Sequence, residues 1–514
     1  MTAIGDRRHW FLAGCAAITA GVLLHLPMLV EAHAMGNRLA GMPVDAGMIA
    51  GMALIALGAA MATFGALPKG MPRMVERGRT RFEAPDDTPL NGWHGIVIAV
   101  LAIALVIDVM KPATLGFVIP GLAREYGIDR STAALLPLFA LTGTTVGSIF
   151  WGWLADIYGR RVSIMLSAIL FVSTSICGAM PAFGWNLLMC FLMGASAGGM
   201  LPVVYTLLAE ILPPRHRSWV MVLVGGTGLV GGYLAAAGAA HLFEPHFGWR
   251  SLWLQGFPTG LLLLALSRFI PESPGFLAAL GRDDDLAVLR RRFGIVPAAQ
   301  AAPVPAASAT TVAAEAGDKY RGLDAALVLV SLCWSFVNFG LLLWLPMDLQ
   351  ARGYSAELAS GILARSSLMA LPTIMIAAWS YSRLSSKWTL VATIVLTACG
   401  LAGASLPTAL LVQEPLLIAI VAVLIVGTNG TIAVLLPYTA ENYPLGQRGR
   451  ATGVVAGSSK FGGVAVQVAA FAGFIPVLGG AALMLLVPTA LSAAMIGFVG
   501  RETSGRSLRE LEAG

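Results

Sequence analysis

Charge is what this chain has least of. Of its 514 residues only 12% are Asp, Glu, Lys or Arg, about half the roughly 25% of an average soluble domain. With 57% hydrophobic residues and a mean hydropathy of +0.78, such a chain could not stay dispersed in water, which excludes a secreted, cytosolic or nucleic-acid-binding protein. Cysteine is scarce too. The five, Cys15, Cys177, Cys190, Cys333 and Cys399, sit singly in apolar runs, so neither a disulfide framework nor a metal site is expected. His25, Glu31 and His33 are too loosely spaced for a metal and read as a polar rim. The pattern G-x-x-x-x-G-K-[ST] does not occur, so ATP is not the direct energy source. No nucleophile and base stand at catalytic spacing, so no enzyme and no cofactor is expected.

What the chain has is long apolar runs. About 20 mostly apolar residues cross a bilayer core of roughly 30 Å as a helix, and fourteen runs of that kind can be marked. Two, Trp10–Ala32 and Val44–Leu67, precede the polar segment Lys69–Leu90 with its nine charged residues. Twelve more begin near Trp93, Thr132, Val162, Trp185, Trp219, Trp249, Asp324, Ala356, Trp388, Pro415, Ala451 and Ile475. The polar stretch Pro271–Leu323, with an Ala- and Pro-rich middle at Pro297–Gly317, divides the twelve into six and six. The expected fold is therefore an all-α membrane bundle of fourteen helices. Its parts are an extra helix pair at 1–68, a linker at 69–92, a six-helix half at 93–271, a central loop at 272–323, a second half at 324–500 and a tail at 501–514.

With the N-terminus cytoplasmic, inside loops hold 25 of the 33 Lys and Arg and outside loops five: Arg38, Arg124, Arg130, Arg250 and Arg352. That asymmetry predicts a multi-pass protein of the cell inner membrane with both termini cytoplasmic. Arg7, Arg8 and the Ala32-His33-Ala34 sequence give the first run the look of a signal peptide, but its length favours a retained helix.

The sequence repeats itself. Ala209-Glu210, Pro213 and Arg217 recur as Ala440-Glu441, Pro444 and Arg448, and Glu272-Ser273 recurs as Glu502-Thr503. Two homologous six-helix halves suit a carrier that rocks about a site between them. From Trp93 onward the chain resembles the major facilitator superfamily. Gly152-Trp153-Leu154-Ala155-Asp156-Ile157-Tyr158-Gly159-Arg160-Arg161 is similar to that family's signature loop between its second and third helices. Trp249-Arg250-Ser251-Leu252-Trp253, Pro271-Glu272-Ser273-Pro274 and the tail Glu502-Thr503-Ser504-Gly505-Arg506-Ser507-Leu508 resemble its sugar-porter and organic-ion branches. The extra helix pair and the degenerate second-half loop at Arg383–Lys387 depart from the pattern. The resemblance implies the twelve-helix fold plus two added helices. Asp156, Arg160, Arg161, Glu210, Arg217, Glu441 and Arg448 are read as gate residues at cytoplasmic helix junctions.

Ionised side chains at bilayer depth cost at least about 2.5–3.5 kcal/mol, so each needs a partner, a wet cavity or a function. Asp108 and Lys111 share a face of the first core helix, Arg365 lies deep in the eighth and Lys460 in the eleventh. Three cations against one carboxylate leave about +2, which predicts an anionic substrate. Arg365 offers a fork for a carboxylate, with Lys111 and Lys460 as point charges. Ser458-Ser459-Lys460-Phe461-Gly462-Gly463 looks like the organic-ion branch's basic residue before paired glycines. Asp108, the one mid-span carboxylate, is the expected proton site, and the aromatic-acid branch resembles this chain in carrying acids there; if Lys111 locks Asp108, anion exchange follows instead. Tyr205, Tyr233, Gln255, Trp334, Asn338 and Asn429 could complete the pocket.

The expected function is secondary active transport of a small organic anion by a monomer in the lipid bilayer, coupled to a proton or a counter-anion. A sugar or organic-cation carrier and a non-transporting anion sensor are the alternatives.

Overall fold

The computed structural model describes residues 7–36, 38–67, 82–85, 88–297, 322–407, 411, 413–443, 445–474 and 476–504, and the side chains of all but 34, 83 and 445–449. Most of Lys69–Leu90, nearly all of the Ala- and Pro-rich stretch, Pro444, the Arg448 side chain and the tail beyond Ser504 lie outside these residues.

Among the described residues, thirteen helices are long and apolar enough to cross a membrane. Two precede the repeats: α1 (Arg8–His33) and α2 (Ala46–Ala66). The first half contains α3 (Gly92–Tyr126), α4 (Arg130–Tyr158), α5 (Arg160–Ala179), α6 (Phe183–Ile211) and α7 (Pro214–Phe247). The apolar run at Trp249 is not one continuous helix. It forms α8 (Ser251–Leu254), α9 (Gly256–Leu266) and a 3-10 turn at Ser267–Phe269. Pro258 supplies no N–H for the Leu254 carbonyl, and the ladder breaks there.

Short helices α10 (Pro274–Ala279) and α11 (Asp283–Phe293) follow. The second half then runs through α12 (Gly322–Ala351), α13 (Ala356–Arg383), α14 (Ser386–Ala404), α15 (Glu414–Asn442), α16 (Leu445–Phe471) and α17 (Leu478–Val499). One small feature departs from the all-helical expectation: strand β1 (Phe82–Glu83) pairs antiparallel with β2 (Val296–Pro297), joining the linker to the central loop. Asn91 caps α3 and donates from its side-chain amide to the Arg292 carbonyl at 2.7 Å.

Irregular turns mark the interface between halves. In α12 a π-helical turn spans Phe336–Leu342, where Leu343 N–H reaches the Asn338 carbonyl at 3.1 Å. Pro346, four residues beyond Leu342, cannot donate to that residue's carbonyl. Tyr233 of α7 does so instead, its hydroxyl 3.4 Å away, which joins the halves. In membranes such freed backbone groups must find partners inside the protein.

The added pair docks on the first half as one unit. A Cβ at Gly58 of α2 would come within 2.7 Å of the Gly14 carbonyl and 2.8 Å of the Ile18 nitrogen of α1. That close approach is open only to glycine. Ile18 and Val22 pack in one cluster with Met165, Ile169 and Val172 of α5. The loop after α1 is tied down separately: the N–H groups of Leu39 and Ala40 donate to Glu125 Oε1 at 2.7 and 2.9 Å. His25, expected at a rim, is fully buried between the two helices with Nδ1 2.8 Å from the Gly21 carbonyl.

Gly58→Val forces methyl groups into the backbone of α1, an overpacking that costs about 1–3 kcal/mol. We expect a lower unfolding midpoint in detergent for Gly58→Val and no change for Gly92→Ala, which meets nothing within 4 Å. Equal midpoints would mean that α1 and α2 are not held together as described.

Candidate functional site

The internal repeat is built from carboxylates that receive helix N-termini. At the start of α5, Glu272 accepts the backbone N–H of Arg160 at 2.7 Å. At the start of α14, Glu502 accepts the N–H of Ser386 at 2.8 Å and its hydroxyl at 2.7 Å. Free N–H groups and the helix dipole make this a favourable seat for a carboxylate. The two acids titrate differently. Burial pushes Glu272 up, and the surrounding N–H groups and the Arg160 charge offset this only in part. At Glu502 burial also pushes up, but the hydroxyls of Ser385 and Ser386 and two backbone N–H groups outweigh it and hold the carboxyl below its ordinary value.

The expected gate residues gather around these two points. Arg160 lies 3.4 Å from Asp156 and 3.2 Å from Glu210. Arg161 donates to the Ser267 carbonyl at 3.1 Å, and Arg217 to that of Leu212 at 3.4 Å. In the second half Ser386 and Lys387 stand where Arg160 and Arg161 open α5. There Glu441 accepts hydroxyls from Tyr381 at 2.7 Å, from Thr503 at 2.6 Å and from Ser218. Ser218 belongs to α7, so Glu441 also bridges the halves at this end.

At the opposite end an ion pair crosses between the halves. Arg130 at the start of α4 lies 2.6 Å from Asp348 of α12, whose side chain is 10% exposed. Arg124 donates to Gln350 at 2.8 Å, and the Arg130 guanidinium lies 5.0 Å from the Trp344 ring centre. A second buried pair, Arg250–Glu125 at 2.7 Å, stays within the first half. Trp249 also donates to Glu125, at 3.0 Å. The sequence counts Arg124, Arg130 and Arg250 only as outside-loop charges. The signal for their pairing is that Glu125 and Asp348 fall at the same end of the bundle.

The four membrane-depth charges do not converge as expected. Lys111 is 1% exposed and faces the interior of the first half. It donates to the Phe171 carbonyl at 2.5 Å and to Thr174 Oγ1 at 2.6 Å, with the Phe171 ring 4.3 Å away. This satisfied amine is a correction to its reading as a substrate ligand. The carbonyl it takes lies where α5 tightens into a 3-10 turn, Thr174–Ala179. Arg365 is a second correction. It lies on the outer face of α13 beside Leu368 and Met369, 60% and 58% exposed, and pairs with Glu414 at the start of α15. Depth along a helix is readable from sequence; the face is not.

Asp108 and Lys460 remain. Asp108 is 5% exposed on α3 and Lys460 is half-buried on α16, so they come from different halves. Their charges interact across the interface, yet among the described contacts they form no direct ion pair. Neither is locked to Lys111. Two turns from Lys460 on α16, Gln467 is fully buried and donates to the Phe339 carbonyl at 2.7 Å, and its Oε1 has no hydrogen-bond partner among the described residues. An open amide oxygen on the same face as Lys460 is a feature the sequence reading missed.

The remaining polar residues scatter. Tyr205 turns its hydroxyl onto Gly225, where a Cβ would come within 2.0 Å. Gln255, at the break between α8 and α9, donates to Thr114 at 2.7 Å. Both contacts stay inside the first half, against the expectation of a pocket role. Trp334 packs edge-on to Phe339 at 5.7 Å, with its indole N–H buried and unpartnered among the described residues. Asn338 sits in the π-helical turn, and Tyr233 bridges to that turn. Asn429 lines a separate cavity between α7, α13, α14 and α15.

Two repeated helical halves with opposite charges facing each other across their interface define a membrane transporter, not an enzyme. The sequence model of the Major Facilitator Superfamily matches residues 101–467, and the chain belongs to that family. The chain is 26% identical over 441 residues to the niacin transporter NiaP of Acinetobacter baylyi, a match covering 83% of this chain and 98% of that one. It is 29% identical over 397 residues to the 4-hydroxybenzoate transporter PcaK of Pseudomonas putida, covering 73% and 85%. It is 28% identical over 417 residues to the gallate transporter of Pseudomonas putida, covering 78% and 88%. Among solved structures it resembles the partially occluded inward-open xylose transporter XylE of Escherichia coli, with a TM-score of 0.63, 17% identity, and 81% and 100% coverage. At that identity the likeness concerns the fold. The helix pair α1 and α2 precedes the matched region.

Asp348→Asn removes the charge that holds α4 to α12. With spin labels at Ile128 and Gly353, we expect the long-distance population to rise by roughly tenfold, the equivalent of about 1.4 kcal/mol. An unchanged distance distribution would show that this ion pair does not hold the halves together.

Proposed function

We propose that this protein carries a small organic carboxylate, of the aromatic or heteroaromatic acid class, across the cell inner membrane by alternating access coupled to protons. The observation that carries the proposal is that Asp108, buried on α3, and Lys460, half-buried on α16, stand on different halves with no direct ion pair among the described contacts. With Asp108 ionised, the two charges neutralise each other and an anion gains little by entering. Protonation of Asp108 leaves the Lys460 ammonium uncompensated in a poorly solvated place, and a carboxylate then restores neutrality. Substrate anion and proton thus enter as a neutral pair. Rocking of the halves exposes them to the other side, and loss of the proton returns Lys460 to Asp108 and expels the anion.

The relatives' names, niacin, gallate and 4-hydroxybenzoate transporters, support a monocarboxylate bearing a ring. In this reading Gln467 and Asn338 offer hydrogen bonds to ring substituents, while Trp334 and Tyr233 border the site. Asp156, Arg160, Arg161, Glu210, Arg217, Glu441 and Arg448 belong to the cytoplasmic gate. The two pieces α8 and α9 together make a fourteenth crossing, both termini are cytoplasmic and the protein acts as a monomer.

Purified protein in sealed vesicles, offered labelled nicotinate, 4-hydroxybenzoate and gallate under an imposed pH gradient, tests this. Lys460→Ala should lower uptake by at least about tenfold, the loss of one charge-assisted contact. Asp108→Asn should still bind substrate but no longer accumulate it with the gradient. Arg365→Ala should leave uptake near the wild-type level, since its guanidinium is engaged by Glu414 on the outer face. Normal uptake by Lys460→Ala, or gradient-driven accumulation by Asp108→Asn, would refute the coupling scheme.

A further inference from the structure

Away from Asp108 and Lys460, a cavity of about 230 Å³ opens between α7 of the first half and α13, α14 and α15 of the second. Val222, Gly226, Ile374, Ala377 and Leu396 give it an apolar wall, with Asn429 at its back. Among the described residues no cation lines it, so a carboxylate would be uncompensated there and the cavity does not suit a second substrate anion. Its mouth faces outward. Ile376 and Leu396 on its rim are 62% and 37% exposed, and for a bundle embedded in a bilayer the surroundings at that depth are acyl chains. Apolar cavities of even about 150 Å³ stay dry and accept hydrocarbon guests.

The charges lie just past one end. The hydroxyls of Ser380 and Thr389, 2.9 Å apart, close that end of the cavity. Arg383 follows Ser380 by one turn of α13, and Lys387 opens α14 with its ammonium 5.4 Å from the Trp388 ring centre. Trp388 is 59% exposed. A basic pair beside an outward tryptophan at a helix junction suits the headgroup level of a membrane, where Lys and Arg attract anionic lipid. This is the loop whose sequence departs from the family's signature.

We propose that the cavity binds one acyl chain of an anionic phospholipid whose headgroup is held by Arg383 and Lys387. Both halves form its wall, and a Cβ at Gly226 would meet Ile374 at 2.7 Å, so a bound chain spans the moving interface and favours the present arrangement of the halves.

The test uses full-length protein in phosphatidylcholine vesicles doped with phosphatidylglycerol or phosphatidylcholine probes carrying a photoreactive acyl chain. Crosslinks are mapped by mass spectrometry. The phosphatidylglycerol probe should label the segments 373–380 and 389–396 several-fold more than the phosphatidylcholine probe. Ala377→Phe should reduce that labelling several-fold and leave labelling at the 88% exposed Phe498 unchanged. Arg383→Gln with Lys387→Gln should bring the two probes to the same level, and this pair carries the test alone should Ala377→Phe fail to fold. Equal labelling of the wild type by both probes, or undiminished labelling in the folded variants, overturns the proposal.

Discussion

A charge placed at bilayer depth must be answered inside the protein, and the whole arrangement follows from how each such charge is answered. Lys111 is answered by a carbonyl and a hydroxyl of α5. Arg365 is answered by Glu414 on the outer face. At one end of the bundle, beyond that depth, Arg250 is likewise answered by Glu125 and Arg130 by Asp348. Asp108 and Lys460 come from different halves and, among the described contacts, form no direct ion pair. In the proposed function, that incomplete neutralisation is what a proton and a carboxylate exploit.

The polar junctions divide the labour. Glu272 and Glu502 hold the starts of α5 and α14 within their own halves. Glu441 with Ser218, and Arg130 with Asp348, join the halves at opposite ends. In the proposed cycle, contacts of the second kind break as the halves rock, whereas contacts of the first kind need not. The pair α1 and α2 packs through Ile18 and Val22 onto α5 and is tied to Glu125, so among the described contacts it is held by the first half.

Much of this was legible in the sequence. Hydropathy marked the crossings because every backbone group in lipid must be paired within a helix, and the Glu272/Glu502 repeat marked two halves whose carboxylates perform the same task. The run at Trp249 was legible as apolar, but Pro258 interrupts it as a helix. The site was less legible. The depth of Lys111 and Arg365 is legible from their positions along the runs, but which way each faces is not. Orientation about a helix axis depends on neighbouring helices, so a buried but satisfied lysine and an outward arginine read the same as cavity ligands. Lys460 and Asp108 differ from these two in that their helices come from different halves. In the proposed function the neutral sum of that couple, rather than an excess of two positive charges, sets the preference for an anion entering with a proton.

The central claim is that a carboxylate and a proton enter together because protonation of Asp108 frees Lys460. Calorimetric binding of an aromatic carboxylate to the purified protein, repeated in buffers of different ionisation enthalpy, measures this directly. The account predicts uptake of about one proton per anion bound by the wild type and none by Asp108→Asn. Binding without proton uptake in the wild type, or the same uptake in the variant, would contradict it.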